Sequence, residues 1–245
     1  MHEAMTIVVA SFIALFQDNL KRRLAYSTVS QLSYITMAAS LLSPLGYMAA
    51  ALHIAAHAFG KITLFFAAGS IYTAAHKTNI SELDGIGRKM PWTMGAFAVG
   101  SLSMIGVPPT AGFISKWYLL SGAWETGYTF VVVVIFLSTL LNAGYFLPIV
   151  WRAFFRAPPK HDHHAPLSAA DGAFGDPTDE HGNGHGGHGH GHGGHGHGHH
   201  DDHGEAPLPI VIALTCTAAG TIILFFFPDV ALGLAQQIYR GLPLP

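Results

Sequence analysis

Residues 49–72 read AAALHIAAHAFGKITLFFAAGSIY. At roughly 1.5 Å of rise per residue this stretch is long enough to cross a hydrocarbon core, which takes about 20 residues. Near its middle stand His53, His57 and Lys61. Steps of four keep side chains on nearly one helical face, so the segment places two imidazoles and one amine in a single column among Ala, Ile, Leu and Phe. A charge at mid-membrane costs several kcal/mol even on gentle scales, roughly 2.5–3.5, and must face protein or a wet cavity. A proton or cation path is the leading reading of this column.

The rest of the composition fits a membrane setting. Of 245 residues, 50% are hydrophobic and only 11% charged, and the mean hydropathy is +0.37. These values describe a polytopic helical membrane protein better than a globular domain. A formal net charge of −2 offers no basic field for nucleic acid. The one cysteine, Cys216, excludes an internal disulfide. The sequence holds no glycine-rich phosphate loop, paired-cysteine motif or nucleophile elbow, so no cofactor is expected and no catalytic residue is assigned.

Working outward, AMTIVVASFIALF near the start lacks a basic n-region and a small-residue cleavage site, and reads as a membrane helix rather than a signal peptide. It is short for a span, as if its helix began earlier. DNLKRR (18–23) reads as a basic loop, followed by a span over 24–42 that ends at the Ser43-Pro44-Leu45-Gly46 turn. After the central helix, 76–90 is a polar loop. Residues 92–124 are too long for one plain helix and contain Gly106, Pro108 and Pro109. They read as one discontinuous span bearing Lys116 in its second half, because proline breaks the backbone ladder and such breaks are tolerated only where protein or water covers them. Further spans follow over 128–151 and 207–227, and 229–240 reads as a short interfacial helix. The fold class is therefore all-α, with about six transmembrane segments, one of them discontinuous. Three regions are expected: a membrane unit over 1–157, a His/Gly-rich loop over 158–206, and a last helix with its tail over 207–245. This topology puts nearly all Lys and Arg on one side, which the positive-inside rule makes cytoplasmic.

Residues 181–203 read HGNGHGGHGHGHGGHGHGHHDDH. Glycine-rich polar sequence of this kind is expected to be disordered. His185, His188, His190, His192, His195 and His197 offer imidazoles to Zn²⁺, Ni²⁺ or Cu²⁺. The blander reading, an insertion that binds metal incidentally, is preferred because the assignment is compositional only.

Each intramembrane group has a bland alternative. A membrane histidine is often a hydrogen-bonded packing residue, and a lysine near a helix end often snorkels to the headgroups. Lys61 is too deep for that and shares its face with two titratable groups. Lys116 follows a helix break, where freed carbonyls can stabilise a cation. Arg88, Lys89 and the basic residues of 18–23 read as topology determinants.

The segments DNLKRRLAYSTVSQLSYI, LHIAAHAFGKITLFFAAGSI and GVPPTAGFISKWYLL resemble the second half of the antiporter-like proton-translocating subunits. That family comprises the large membrane-arm subunits of respiratory complex I, related hydrogenase membrane subunits, and the two large subunits of Mrp-type Na⁺/H⁺ antiporters. The resemblance implies that this chain holds the second of two inverted repeats, and that it is either a fragment or a split product assembling with a separate N-terminal half. It implies that Lys61 is the lysine of a central hydrophilic axis, His53 and His57 its connecting histidines, and Lys116 the lysine of the broken helix near the outer exit. The implied route takes protons from the cytoplasm along His57, His53 and Lys61, then out through Lys116. Within the family, AGFISKWYLLSGA looks more similar to the D-type Mrp subunit than to the complex I members.

The expected function is the proton-conducting, C-terminal part of a Mrp-type monovalent cation/proton antiporter subunit. The alternative is a proton-pumping subunit of a complex I-like NADH:quinone oxidoreductase or membrane-bound hydrogenase, its redox chemistry supplied by partners. A third reading, a metal transporter fed by the His-rich loop, fits poorly, since a protonated lysine in the column repels a divalent ion. Expected partners are other subunits of such an assembly, H⁺, Na⁺ as a candidate exchanged ion, and the bilayer of the inner membrane.

Overall fold

The computed structural model describes residues 2–157 and 204–241, the Ile238 side chain excepted. Their helices are α1 (His2–Phe16), α2 (Leu20–Ala39), α3 (Pro44–Ala75), the short α4 (Ile86–Lys89), α5 (Pro91–Ile105), α6 (Ala111–Glu125), α7 (Thr129–Phe155), α8 (Leu208–Phe226) and α9 (Asp229–Gly241). No strand occurs among the described residues. Helices α3, α7 and α8 are each long and apolar enough to cross a membrane. The candidate metal-binding histidines His185, His188, His190, His192, His195 and His197 lie outside the described residues.

Local chemistry sets the helix ends. Ser43 caps α3 by accepting from the Gly46 amide at 3.1 Å, with Pro44 in the first turn, where its missing N–H costs nothing. Its far end closes on His76, a left-handed residue (φ 52°) whose amide donates to the Tyr72 carbonyl. The start of α2 corrects the sequence reading. Asn19 accepts from the Arg22 amide, so Lys21, Arg22 and Arg23 form the first turn of a helix rather than a loop.

The broken-span reading of 92–124 holds. The start of α5 lies at the end of the bundle where α1, α3 and α7 finish and α2 and α8 begin. There Leu20 donates to Thr78, Ile80 to the Asp18 carbonyl, and Gly85 to the Arg152 carbonyl. Glu205, just before α8, accepts from the amides of Trp92 and Thr93 and from the Thr93 hydroxyl, capping α5 from 112 positions away. The end of α6 lies at the opposite face, where Gly122 packs on Gly46 and Leu45. Thus α5 and α6 together cross once. Among the described residues, Lys21, Arg22, Arg23, Lys77, Arg88, Lys89, Arg152 and Arg156 cluster at the first end, and Arg240 alone at the other.

Between helices the contacts are small residues and hydroxyl pairs. Ser11 and Ser30 meet at 2.8 Å between α1 and α2. Thr63–Thr217 (2.8 Å) and Ser103–Thr221 (2.9 Å) tie α8 to α3 and α5. Without a hydrophobic drive between helices in lipid, such bonds and close backbone approach do much of the association.

At the basic end, Arg152 donates to both Asp84 oxygens, at 2.7 and 3.2 Å, and Arg156 stands 3.5 Å away. The hydrogen bonds from Arg152 hold the Asp84 carboxyl below its ordinary value. A depressed carboxylate pKa contributes stability above the unfolded value of about 3.9, and that stability is lost as pH falls through the folded value. Asp84→Asn should therefore lower the thermal midpoint of the detergent-solubilised protein at pH 7. The gap from wild type should close as the buffer is taken below about pH 4.

Candidate functional site

The discontinuity between α5 and α6 builds the most polar point in the bundle. In an α-helix each carbonyl accepts from the amide four residues on. For Met104 and Ile105 those positions are Pro108 and Pro109, which have no N–H. Helix α5 instead closes at Gly106, whose φ of 88° suits glycine and whose amide donates to the Leu102 carbonyl at 2.8 Å. The carbonyls of Met104 and Ile105 are left as acceptors in the protein interior. Lys116, from the second turn of α6, fills them with its ammonium at 3.0 and 2.9 Å. Gly112 permits this approach, because a Cβ there would overlap the Ser103 carbonyl oxygen.

Lys116 is 7% exposed, Lys61 5% and His53 3%. Lys61 donates to the Leu24 carbonyl at 3.0 Å and to the Ser27 hydroxyl at 2.8 Å, both on α2. His53 is held by Gln31 of α2 at 3.1 Å through Nε2 and by Ser115 of α6 at 2.9 Å through Nδ1. His57 is half-buried, its ring 6.3 Å from that of His53, and its buried Nε2 meets no protein partner among the described residues. Neither lysine has a carboxylate ion-pair partner among the described residues. Both cations rest on carbonyl and hydroxyl dipoles, with an aromatic ring facing each.

All four expected site residues thus lie in one polar core, but in a different order from the implied route. Lys61 touches Leu24 and Ser27 on α2 and faces the Phe146 ring on α7 at 5.8 Å. Lys116 faces Tyr34 on α2 at 5.1 Å and Thr139 on α7 at 3.5 Å. Thr139 and Phe146 are seven positions apart, about 10 Å along a helix. The two lysines therefore stand apart along the bundle, with His57 and then His53 between them. It is His53, through Gln31, that reaches the neighbourhood of Lys116: the Gln31 amide lies 3.5 Å from the Met104 carbonyl.

Several residues of this core escaped the sequence reading. Arg23 is buried, and its guanidinium donates to the carbonyls of Gln17 (2.8 Å), Leu15 (3.1 Å) and Tyr145 (3.0 Å). It ties the end of α1 to α7 and is no surface charge. Ser27, Gln31 and Tyr34 follow it on the same face, and Asn142 and Tyr145 complete the core from α7. The signal was present as polar residues recurring at three- and four-residue steps, 23-27-31-34 and 138-142-145, within otherwise apolar helices.

The transmembrane family described as NADH:quinone oxidoreductase/Mrp antiporter matches residues 1–142. The chain belongs to this family. It is 41% identical over 170 residues to NADH-quinone oxidoreductase subunit N of Desulforudis audaxviator (strain MP104C), covering 69% of this chain and 34% of that one. It is 38% identical over 150 residues to NADH-quinone oxidoreductase subunit L of Rickettsia bellii (strain RML369-C), covering 61% and 23%. The chain spans about a third or less of the length of these relatives. Among solved structures, a chain of the Mrp complex from Dietzia sp. DQ12-45-1b superposes with a TM-score of 0.75 at 21% identity, covering 98% of this chain and 46% of that one. A chain of respiratory complex I from Thermus thermophilus superposes at 0.68 and 16% identity, covering 97% and 43%. These likenesses establish the antiporter-family membrane fold.

The close seat of Gly112 on Ser103 generates a test. Gly112→Ala should force α6 away from α5 at a cost of about 2 kcal/mol, as overpacking in a tight core does. A lower thermal midpoint of the solubilised protein measures it, and an unchanged midpoint would mean the break is not close-packed.

Proposed function

We propose that this chain is a proton-conducting membrane subunit of a multisubunit monovalent cation/proton antiporter of the Mrp type. The observation that carries the reading is the pair of buried ammonium groups, Lys61 and Lys116, held without a carboxylate partner among the described residues and joined by a polar core. An intramembrane charge is expensive and marks an ion path by default. Broken helices in repeat-built transporters stand at such sites. In this reading Lys61, His57, His53 and Lys116 are the proton pathway in that spatial order, with Lys116 nearest the outer exit. The positive-inside rule makes the Arg- and Lys-rich end cytoplasmic, and with it the His-rich stretch. The membrane is the inner membrane, and the partners are the remaining subunits of the assembly. H⁺ and Na⁺ are the ions moved.

The complex I-like alternative has its own support. The relatives named above at 41% and 38% identity are NADH-quinone oxidoreductase subunits. In that case the same lysines conduct protons, while flavin and iron–sulfur partners supply the redox step. Mild extraction and mass analysis of the intact assembly separate the two: redox-cofactor subunits among the companions decide for the alternative.

Lys61→Ala and Lys116→Ala, each in the assembled complex, should abolish proton translocation into vesicles while leaving assembly intact. Quenching of a pH-sensitive dye reports the rate. A wild-type rate in Lys61→Ala would sink the assignment.

A further inference from the structure

The core holds a second connection between the lysines that uses neither histidine. In the structure the Ser27 hydroxyl oxygen accepts from the Lys61 amine at 2.8 Å and from the Tyr145 hydroxyl at 3.0 Å, and the Ser27 proton can turn to either neighbour. The Tyr145 hydroxyl also contacts Asn142 Oδ1 directly. The Asn142 amide donates to the Met104 carbonyl at 3.4 Å, the same carbonyl that holds the Lys116 ammonium at 3.0 Å. Ser27, Tyr145 and Asn142, the groups between the two lysines, are all fully buried. By contrast, the histidine line is interrupted at His57, whose Nε2 meets no protein partner among the described residues.

Donor inventory makes this line a switch. Serine and tyrosine each carry one hydroxyl proton, and a lysine amine accepts only when it is neutral. With Lys61 protonated, Nζ donates to Ser27, Ser27 donates to Tyr145, Tyr145 donates to Asn142 Oδ1, and the Asn142 amide donates to Met104. Every arrow then points at the carbonyl that Lys116 uses. With Lys61 neutral, Ser27 is free to donate to Nζ and Tyr145 turns its single proton back to Ser27. Asn142 Oδ1 then loses its donor. Hydrogen bonds aligned in one direction polarise one another, so the Asn142 bond to Met104 strengthens in the first state and weakens in the second.

We propose that Ser27, Tyr145 and Asn142 are positioning residues that couple the charge on Lys61 to the hold on Lys116, by reversing the direction of a hydrogen-bond chain that ends on the Met104 carbonyl. The coupling rests on the proton-conducting reading above and deepens it. No proton crosses the chain. The Met104 carbonyl accepts from the Lys116 ammonium, the Asn142 amide and, at 3.5 Å, the Gln31 amide, and the chain sets how strongly the Asn142 amide competes there with the ammonium. Loading Lys61 thereby loosens Lys116, and by reciprocity of linked equilibria a loaded Lys116 loosens Lys61. Two positive charges are discouraged from occupying the path together, with no carboxylate between them among the described residues.

The test uses the assembled complex in vesicles, with dye quenching as the readout and the amount of assembled complex measured alongside. Tyr145→Phe removes one oxygen and keeps the ring that packs at 4.7 Å on Phe146. It should slow translocation about tenfold, and Asn142→Leu should do the same. Because both break one chain, the double variant should also be slowed only about tenfold, whereas independent packing defects would multiply toward a hundredfold. Ser27→Ala should match them, and Ser27→Thr, which keeps the hydroxyl, should restore the rate. Wild-type rates in Tyr145→Phe and Asn142→Leu overturn the coupling, as does a multiplicative loss in the double variant. If Tyr145→Phe does not assemble, the serine pair decides, and equal rates in Ser27→Ala and Ser27→Thr overturn it. An inactive Lys61→Ala beside an unimpaired Tyr145→Phe removes the coupling and leaves the proton-conducting reading standing. A fully active Lys61→Ala removes the latter.

Discussion

Two adjacent prolines withhold two N–H groups from α5, and the rest of the site is arranged around the carbonyls they leave open. A buried carbonyl without a donor costs about 1–3 kcal/mol, and a buried ammonium without acceptors costs more. Met104, Ile105 and Lys116 answer each other's need. The negative end of the α5 dipole adds to the hold, since its C-terminus is the point at which Lys116 arrives. A carboxylate in this place would bind the ammonium more tightly and make its proton harder to surrender. Neutral dipoles hold a cation while leaving it free to become an amine, which is the property a path for protons requires.

The helices around the break enclose the polar core. Helix α2 presents Arg23, Ser27, Gln31 and Tyr34 on one face, and α7 presents Asn142 and Tyr145 opposite. Apolar side chains such as Leu24, Leu64, Phe97 and Phe146 close over them. Arg23 has a separate task. By gathering three backbone carbonyls from α1, the α1–α2 turn and α7, it fixes the depth at which the α2 face meets α7. The register of Ser27 against Tyr145 depends on that depth. The charged residue is thus part of the scaffold, and the neutral ones are the responsive part.

Much of this was legible beforehand. The H-x₃-H-x₃-K spacing located the column because helical geometry turns a four-residue period into one face. The Pro-Pro pair located the break because missing donors cannot be compensated in lipid except by protein. The order of His53, His57 and Lys61 along α3 follows from the sequence, but which end of that column meets Lys116 was not legible, since it depends on how α6 packs on α3, and that is a tertiary fact. Arg23 was misread for a similar reason. A cluster of basic residues looks like a headgroup anchor until the helix start is known, and Asn19 moves that start four residues earlier than the hydrophobic run suggests. Asn142 and Tyr145 were overlooked because a span containing VVVVIFLSTLL is so apolar that its few polar positions pass as tolerated exceptions.

The contact of Glu205 with the first turn of α5 has a consequence for how the chain can vary. Arg152 secures the departing backbone at the end of α7, and Glu205 secures its return, so both flanks are fastened to the bundle independently of what joins them. Closing a flexible connection costs only about 0.6 kcal/mol for each doubling of its length. The connection between these anchors is therefore a place where sequence can be lengthened, shortened or exchanged for another domain with little penalty to the helices. It is a natural insertion point, held open by one carboxylate and three donors.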